Sequence, residues 1–185
     1  MKSDMPTRRQ MITGVAAVLG SLAATSKIVA QTPPANTERR ATGADATRTS
    51  LHQELELQAS PQRIYEALLD SKQFAEFSGE PAQIGREEGS AFSTFGGVIL
   101  GRNIELVSGQ RIVQAWRPSH WAPGTYSIVR FELKARNAQA TLILDHTGFP
   151  EGDFSSLNYG WGLKYWDPLK KFLAKEPDGQ NKGTP

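Results

Sequence analysis

The chain of 185 residues contains no cysteine. This absence excludes disulfides, thiolate metal sites, iron–sulfur clusters and cysteine nucleophiles, because each of these requires a thiol. It does not identify a compartment, since a domain of this size can bury enough apolar surface without a covalent crosslink. Histidine is scarce as well: His52, His120 and His146 lie far apart, and no pair has metal-ligand spacing. We therefore expect neither a metal nor a cofactor.

Familiar catalytic motifs are also missing. The sequence has no glycine-rich phosphate loop, no Gly-x-Ser-x-Gly nucleophile elbow and no dinucleotide-binding fingerprint. The acidic residues are scattered, and no two of them form a recognisable acid and base pair. Nothing in the sequence therefore nominates a catalytic residue, and binding is a simpler expectation than catalysis.

Positive charge is not in excess outside the first thirty residues. The formal net charge of the chain is +2, but residues 1–30 carry four basic side chains against one acidic one. The remainder is close to neutral and slightly acidic, so it offers no basic surface to displace counterions from a polyanion. Nucleic-acid binding is therefore not expected, and 38% hydrophobic with 22% charged residues favours one ordinary globular domain.

The first thirty residues have the features of a signal peptide. Thr7-Arg8-Arg9 precedes a weakly apolar segment, 12–24, which is shorter than the roughly 20 residues that span a bilayer. The arginine pair resembles the twin-arginine export signal, which is read by a receptor and is not an anchor. An ordinary secretory signal with a chance arginine pair is the alternative. Either reading predicts cleavage near Ala24 to Ala30, a periplasmic or secreted protein, and no stable membrane anchor.

The rest of the chain divides into a linker, one domain and a tail. Residues 31–50 have no large apolar side chain and are predicted to be a flexible linker. Residues 51–174 form the predicted domain, and residues 175–185 are rich in glycine, proline and charge, which predicts a disordered tail.

The order of elements within the domain predicts an α+β fold. Period-two alternation over Leu51–Leu57 indicates a strand, and Ser60-Pro61 is a typical start of a helix. Six further strands are predicted over roughly 81–87, 90–95, 97–107, 110–118, 125–135 and 138–148. The last element is a helix over about 154–174, with large apolar residues at four-residue steps. That helix has to lie across one face of the sheet, since nothing else can cover its apolar stripe.

Several short motifs in this order are fairly specific. They are Gly96-Gly97, Gly101-Arg102-Asn103, Ile112-Val113-Gln114-Ala115-Trp116-Arg117, Trp121, Gly148-Phe149-Pro150, Gly160-Trp161 and Tyr165-Trp166. With them the domain resembles the START-like (SRPBCC) helix-grip superfamily. Within it, the domain is similar to the C-terminal domain of the activators of the heat-shock-protein-ninety ATPase. The resemblance implies an antiparallel curved sheet wrapped around a long C-terminal helix. It also implies one of three roles: a binding protein for a lipid or small molecule, a protein-interaction module, or a hydrolase or cyclase.

Strand alternation nominates polar residues for a cavity between sheet and helix. Arg102, Ser127 and His146 each share a strand side with apolar residues that are predicted to face inward. In a cavity, Arg102 would bind a carboxylate or a phosphate with its forked guanidinium. The alternatives are that Arg102 extends into solvent and that His146 only fixes a loop through a hydrogen bond.

Three aromatic residues complete the candidate ligand site. Trp116, Trp161 and Tyr165 could stack on a flat ligand, but Trp161 and Tyr165 also belong to the apolar stripe of the terminal helix, which favours a core role. The main expectation is an exported domain that binds a small hydrophobic or amphipathic ligand. A protein-interaction or co-chaperone-like module without a ligand is the alternative, with a hydrolase or cyclase as the third.

Overall fold

The computed structural model describes residues 43–137 and 139–175. Its strands form one antiparallel seven-stranded sheet in the order β1-β7-β6-β5-β4-β3-β2. The strands are β1 (Ser50–Leu57), β2 (Gln83–Ile84), β3 (Ala91–Thr94), β4 (Ile99–Val107), β5 (Arg111–Pro118), β6 (Ser127–Arg136) and β7 (Gln139–Thr147). Each neighbouring pair from β2 to β7 is consecutive in sequence, so only β1 reaches its place beside β7 by a long connection.

Five α-helical segments of the described ranges accompany the sheet. They are α1 (Gly43–Ala46), α2 (Pro61–Leu69), α3 (Ser71–Ser78), α4 (Phe154–Gly160) and α5 (Asp167–Leu173). A π-helical turn, Trp161–Trp166, joins α4 to α5 in one continuous C-terminal helix, and a 3-10 turn, Phe95–Gly97, connects β3 to β4. None of the helices in the two described ranges combines the length and the apolarity needed to cross a membrane.

The starts of the two helices after β1 follow from local capping. The Ser60 hydroxyl accepts a hydrogen bond from the Arg63 amide at 3.3 Å, and Pro61 occupies the first position of α2. The Asp70 carboxylate accepts from the Gln73 amide at 2.9 Å and caps α3. Both caps satisfy amides that the helix itself cannot pair.

One face of the sheet and the C-terminal helix enclose a single core. Alternate residues of β5, β6 and β7 are buried, as in the row Ile112, Phe131 and Leu144. The helix contributes Leu157, Trp161, Tyr165, Trp166, Leu169 and Leu173. The α+β helix-grip architecture predicted from the sequence is therefore confirmed.

Some boundaries differ from the sequence prediction. The strand predicted over 81–87 is reduced to Gln83–Ile84. The last residues of the predicted linker include α1, and the Arg48 guanidinium lies 3.6 Å from the centroid of the Phe154 ring. The attraction between a guanidinium and the face of an aromatic ring favours packing of this segment on the domain. The predicted signal peptide, the first part of the linker and nearly all of the C-terminal tail lie outside the described residues.

Candidate functional site

Two of the predicted polar residues, Ser127 and His146, form a buried hydrogen-bonded chain. Trp161 Nε1 donates to His146 Nδ1 at 3.1 Å, which makes Nδ1 an acceptor. The other ring nitrogen of His146, Nε2, lies 2.7 Å from Ser127 Oγ, and Ser127 Oγ donates to the carbonyl oxygen of Trp116 at 2.9 Å. Because Ser127 uses its proton on the carbonyl, His146 Nε2 has to carry a hydrogen and donate. The chain thus ties the C-terminal helix to the middle of the sheet.

The environment of His146 keeps the ring neutral. The side chain is fully buried, and this burial lowers the pKa of His146 to about 3. The rings of Trp116, Phe149 and Trp161 surround it with centroid distances of 4.9, 5.0 and 5.8 Å. Serine beside histidine suggests a nucleophile and a base, but both are sealed in the core and their hydrogen bonds are already used. Their arrangement is that of a structural network.

A pocket lies between the C-terminal helix on one side and two strand ends, the start of β4 and the end of β5, on the other. We call it the outer pocket. Its volume is about 330 Å³, within the range of small-molecule sites. Its apolar walls come from Phe95, Ile99, Trp116, Pro118, Leu157, Trp161 and Tyr165. The predicted aromatic residues Trp116, Trp161 and Tyr165 therefore line one pocket, whereas Ser127 and His146 are not among its lining residues.

Charge is confined to the rim of the outer pocket. Glu80, His120 and Lys164 line the pocket and are exposed. Within the described ranges, the carboxylate of Glu80 and the ammonium of Lys164 form no ion pair. The rim can therefore bind a charged group of either sign without first breaking an internal pair.

The helix is locally widened beside this pocket. Trp161, Lys164 and Tyr165 belong to the π-helical turn and Gly160 directly precedes it. Single π-helical turns interrupt α-helices at a cost in stability and are frequent at functional sites. Trp161 is the first residue of the π-turn, and its ring stacks on that of Trp116 with centroids 5.7 Å apart and an interplanar angle of 29°. Sequence periodicity cannot show this feature, because the four-residue step of the apolar stripe suits an α-helix as well.

The prediction that Arg102 faces the cavity with Ser127 and His146 is wrong. Arg102 is exposed on the opposite, outer face of the sheet, where its guanidinium donates to the Gly89 carbonyl oxygen. The residues of β4 that face the core are Ile99, Gly101 and Asn103, and a β-bulge changes the alternation between Asn103 and Glu105. Two of these three core-facing residues, Gly101 and Asn103, are not hydrophobic. The hydrophobic alternation in the sequence therefore assigned the wrong side of β4 to the core.

Asn103 and Gly101 have structural reasons for their inward positions. Asn103 is fully buried, donates to the Gly85 carbonyl oxygen at 2.7 Å and accepts from Gln114 at 2.9 Å. A Cβ atom on Gly101 would lie 2.2 Å from the Ala115 carbonyl oxygen, so no larger residue fits there. From the sequence alone, a polar residue or a glycine in a strand looks like a surface residue, so these two inward positions could not be recognised.

His120 and Trp121 are neighbours in the loop between β5 and β6, but their side chains lie in different surroundings. His120 lines the rim of the outer pocket, but Trp121 is buried and its Nε1 donates to the Asp153 carboxylate at 2.6 Å. Phe95, Ile99 and Lys164 are pocket residues that the sequence reasoning missed. No cluster of three metal-ligating side chains occurs in the described part of the chain.

Comparison with solved structures supports the same architecture. An HSP90 activator from Plasmodium falciparum superposes with a TM-score of 0.66 at 24% identity, and the match covers 69% of this chain and 97% of that one. The solution structure of the Aha1 dimer from Colwellia psychrerythraea gives a TM-score of 0.59 at 18% identity, covering 68% and 96% of the two chains. At these identities the likeness establishes the fold alone.

Curated relatives match in sequence over the same domain. An "Activator of 90 kDa heat shock protein ATPase homolog" from Dictyostelium discoideum is 30% identical over 125 residues, or 67% of this chain and 33% of the relative. A mouse homolog 2 of that activator is 27% identical over 60% of this chain and 34% of its own length. The chain thus spans about a third of the curated relatives it matches. The model of the family "Activator of Hsp90 ATPase homolog 1-like protein" matches residues 58–174, and the chain belongs to this family.

Proposed function

We propose that the domain binds a small apolar or amphipathic molecule in the outer pocket. The observation that carries this proposal is a pocket of about 330 Å³ that has aromatic walls and exposed charges only at its rim. Apolar walls with a few polar groups at defined positions are the usual composition of a small-molecule site. The stacked indoles of Trp116 and Trp161 favour a flat ligand, and the free ammonium of Lys164 favours an anionic or polar end at the rim.

The pocket can be closed by one substitution on the C-terminal helix. Gly160 lines the pocket and has helical dihedral angles of −61° and −40°. A Cβ atom added to Gly160 would have no neighbouring atom within 4 Å. A leucine there would project its side chain into the pocket and would also favour the helix. Gly162 has equally open surroundings but does not line the pocket, so Gly162→Leu is a matched control for Gly160→Leu.

The test is a titration of the three proteins with the amphipathic fluorophore 1-anilinonaphthalene-8-sulfonate. We expect saturable binding to the wild type and to Gly162→Leu, and affinity at least about tenfold weaker for Gly160→Leu, since occupied volume excludes the ligand. Thermal unfolding of each protein checks that the fold is intact. Equal affinity in all three proteins would contradict binding in this pocket.

A protein partner is the second candidate. The family relatives are named as activators of a chaperone ATPase, and the outer sheet face exposes the large apolar side chains of Ile104 and Ile128, which are 48% and 41% accessible. The assay is the ATPase rate of a 90-kDa heat-shock protein with added wild type or Ile128→Lys. Stimulation that the variant loses would support this candidate, and no stimulation would leave ligand binding as the better proposal.

Catalysis on a bound ligand is not part of the proposal. Among the described residues that line the outer pocket, the charged groups lie at the rim, the buried Tyr165 phenol stays neutral because burial raises its pKa to about 12, and Ser127 and His146 are enclosed elsewhere in the core. A hydrolase or cyclase would need an acid or base directed at the ligand. The pocket geometry supports binding more directly.

We also propose that the chain is exported through a twin-arginine signal. The support is the sequence of residues 1–30, with Arg8-Arg9 before a weakly apolar segment. The test is cell fractionation of the full chain and of a variant with Arg8→Lys and Arg9→Lys, followed by intact-mass measurement. We expect a periplasmic or secreted protein that begins between Ala24 and Gln31, and loss of processing in the variant. Processing that is unaffected by the variant would contradict the twin-arginine route.

A further inference from the structure

Tyr165 separates the outer pocket from a second, smaller cavity, which we call the inner cavity. Thr94, Gln114 and Phe131 are among its lining residues, and Tyr165 lines both spaces. The inner cavity has a volume of about 10 Å³, which is roughly the room that one water-sized group requires. It lies deeper in the core, between the sheet and the two helices that follow β1.

A polar atom without a partner faces this cavity. Thr94 is only 3% exposed, and its Oγ1 has no hydrogen-bond partner in the part of the chain that the structure describes. Thr94 directly precedes the 3-10 turn, but its side chain does not cap that turn. Buried hydroxyls are nearly always paired, because leaving one unpaired costs free energy. The Tyr165 phenol interacts with the Thr94 side chain, but no group in the described part of the chain lies at hydrogen-bond distance from Thr94 Oγ1, so a ligand atom or a water can still pair with it.

The Tyr165 phenol lies at the boundary of the two spaces. Burial raises the pKa of Tyr165 to about 12, and the nearby Trp116 and Thr94 side chains partly oppose this rise. Trp116 lines the outer pocket and Thr94 lines the inner cavity, so the phenol has a neighbour on each side. A rotation of the Tyr165 side chain away from this position would join the outer pocket and the inner cavity. Tyr165 belongs to the π-turn, so the helix departs from regular α-helical geometry at this residue.

The surroundings of the inner cavity select an uncharged group. Apart from the neutral phenol of Tyr165, its described lining residues have no ionisable side chain. A carboxylate or an ammonium would be buried there without a counter-charge, which is strongly unfavourable. A carbonyl oxygen or a hydroxyl loses less hydration and can pair with Thr94 Oγ1.

We propose that the inner cavity is a polar subsite that accepts the neutral carbonyl or hydroxyl end of the ligand through a hydrogen bond to Thr94. The proposal rests on the proposed function and narrows it. The ligand then has a neutral hydrogen-bonding end in the core, an apolar body against the stacked Trp116 and Trp161, and any charged group at the rim beside Lys164. An ordered water in the inner cavity that stays when the ligand binds is the competing explanation.

The test compares two probes of matched shape on the full chain. In 2-acetylnaphthalene a ketone oxygen occupies the place of the terminal methylene carbon of 2-isopropenylnaphthalene. Dissociation constants of both are measured by quenching of tryptophan fluorescence with wild type, Thr94→Val and Thr147→Val. Thr94→Val removes only the hydroxyl and keeps the branched shape, and Thr147→Val makes the same change at an exposed position of β7.

We expect the preference for the ketone, the ratio of the two dissociation constants, to fall about fivefold in Thr94→Val. This corresponds to about 1 kcal/mol, the size of one net hydrogen bond. The free energy of hydration of each probe is the same with every protein, so it cancels when the ratios for wild type and variant are compared. Thr147→Val should keep the wild-type ratio. An unchanged ratio in Thr94→Val, with both probes bound, would overturn the polar subsite and favour the retained water. If the wild type binds neither probe, the proposed function fails for this ligand class and the inference fails with it.

Discussion

Acid should destabilise the fold through His146, and the size of the effect can be worked out from the structure. An unfolded histidine has a pKa near 6.5, whereas burial lowers the pKa of His146 in the folded protein to about 3. Between these values the unfolded chain binds a proton that the folded chain refuses. The stability contribution of the neutral ring is therefore fully present above pH 6.5 and is lost as the pH falls toward 3.

The expected loss follows from the difference between the two pKa values. Each pH unit between them costs about 1.4 kcal/mol for one proton. From pH 7 to pH 4, the free energy of unfolding should fall by about 3 kcal/mol through this one group. That is a large share of the roughly 5–15 kcal/mol typical of a domain.

The control is His146→Gln, which removes the titrating ring. An amide can accept from Trp161 Nε1 through its oxygen and donate to Ser127 Oγ through its nitrogen, so the buried neighbours keep partners. Urea unfolding at pH 7, 6, 5 and 4 at constant ionic strength gives the free energy of unfolding of both proteins. The carboxylates titrate in both, so their contribution cancels in the difference.

Two results would refute this reasoning. One is the same loss of stability with pH in wild type and His146→Gln, which would mean that His146 does not carry the effect. The other is an imidazole that titrates near pH 6.5 in the folded protein, observed through the ring ¹⁵N chemical shifts. Those shifts should instead show a neutral ring with hydrogen on Nε2 down to about pH 4, because Nδ1 accepts from Trp161.

Three further substitutions test the packing around the site. Trp161→Ala should lower the free energy of unfolding by about 3–5 kcal/mol, because a side chain that is only 2% exposed leaves a cavity; a near-neutral result in urea unfolding would contradict a core role. Gly101→Ala should cost about 3 kcal/mol or more, since its Cβ would lie 2.2 Å from Ala115 O and from the Phe92 ring, and a stable variant would refute this close approach. Arg102→Met should leave 1-anilinonaphthalene-8-sulfonate binding unchanged, because Arg102 lies on the outer face; a loss greater than about tenfold would place it at the site after all.

The site was only partly predictable because its residues follow different rules. Trp116, Trp161 and Tyr165 could be found, since large aromatic side chains at strand and helix positions with regular spacing are buried. Ser127 and His146 were correctly placed on the inner face by alternation, but their bonding could not be read from it. Arg102 was misplaced because two of the three core-facing residues of β4, Gly101 and Asn103, are not hydrophobic, and because a β-bulge after Asn103 changes the alternation of the apolar residues that follow.

The sequence by itself determined the helix-grip architecture, because turn residues separate the strands and the apolar stripe of the terminal helix has to be covered. It also determined membership of the family, through motifs distributed over the whole domain. The tertiary structure alone decided that Ser127, His146 and Trp161 bond to one another, that the helix widens into a π-turn, and that Tyr165 divides two cavities. The physical reason is that local periodicity fixes the direction of each side chain, whereas contacts between distant residues depend on bulges and on the way the helix packs on the sheet.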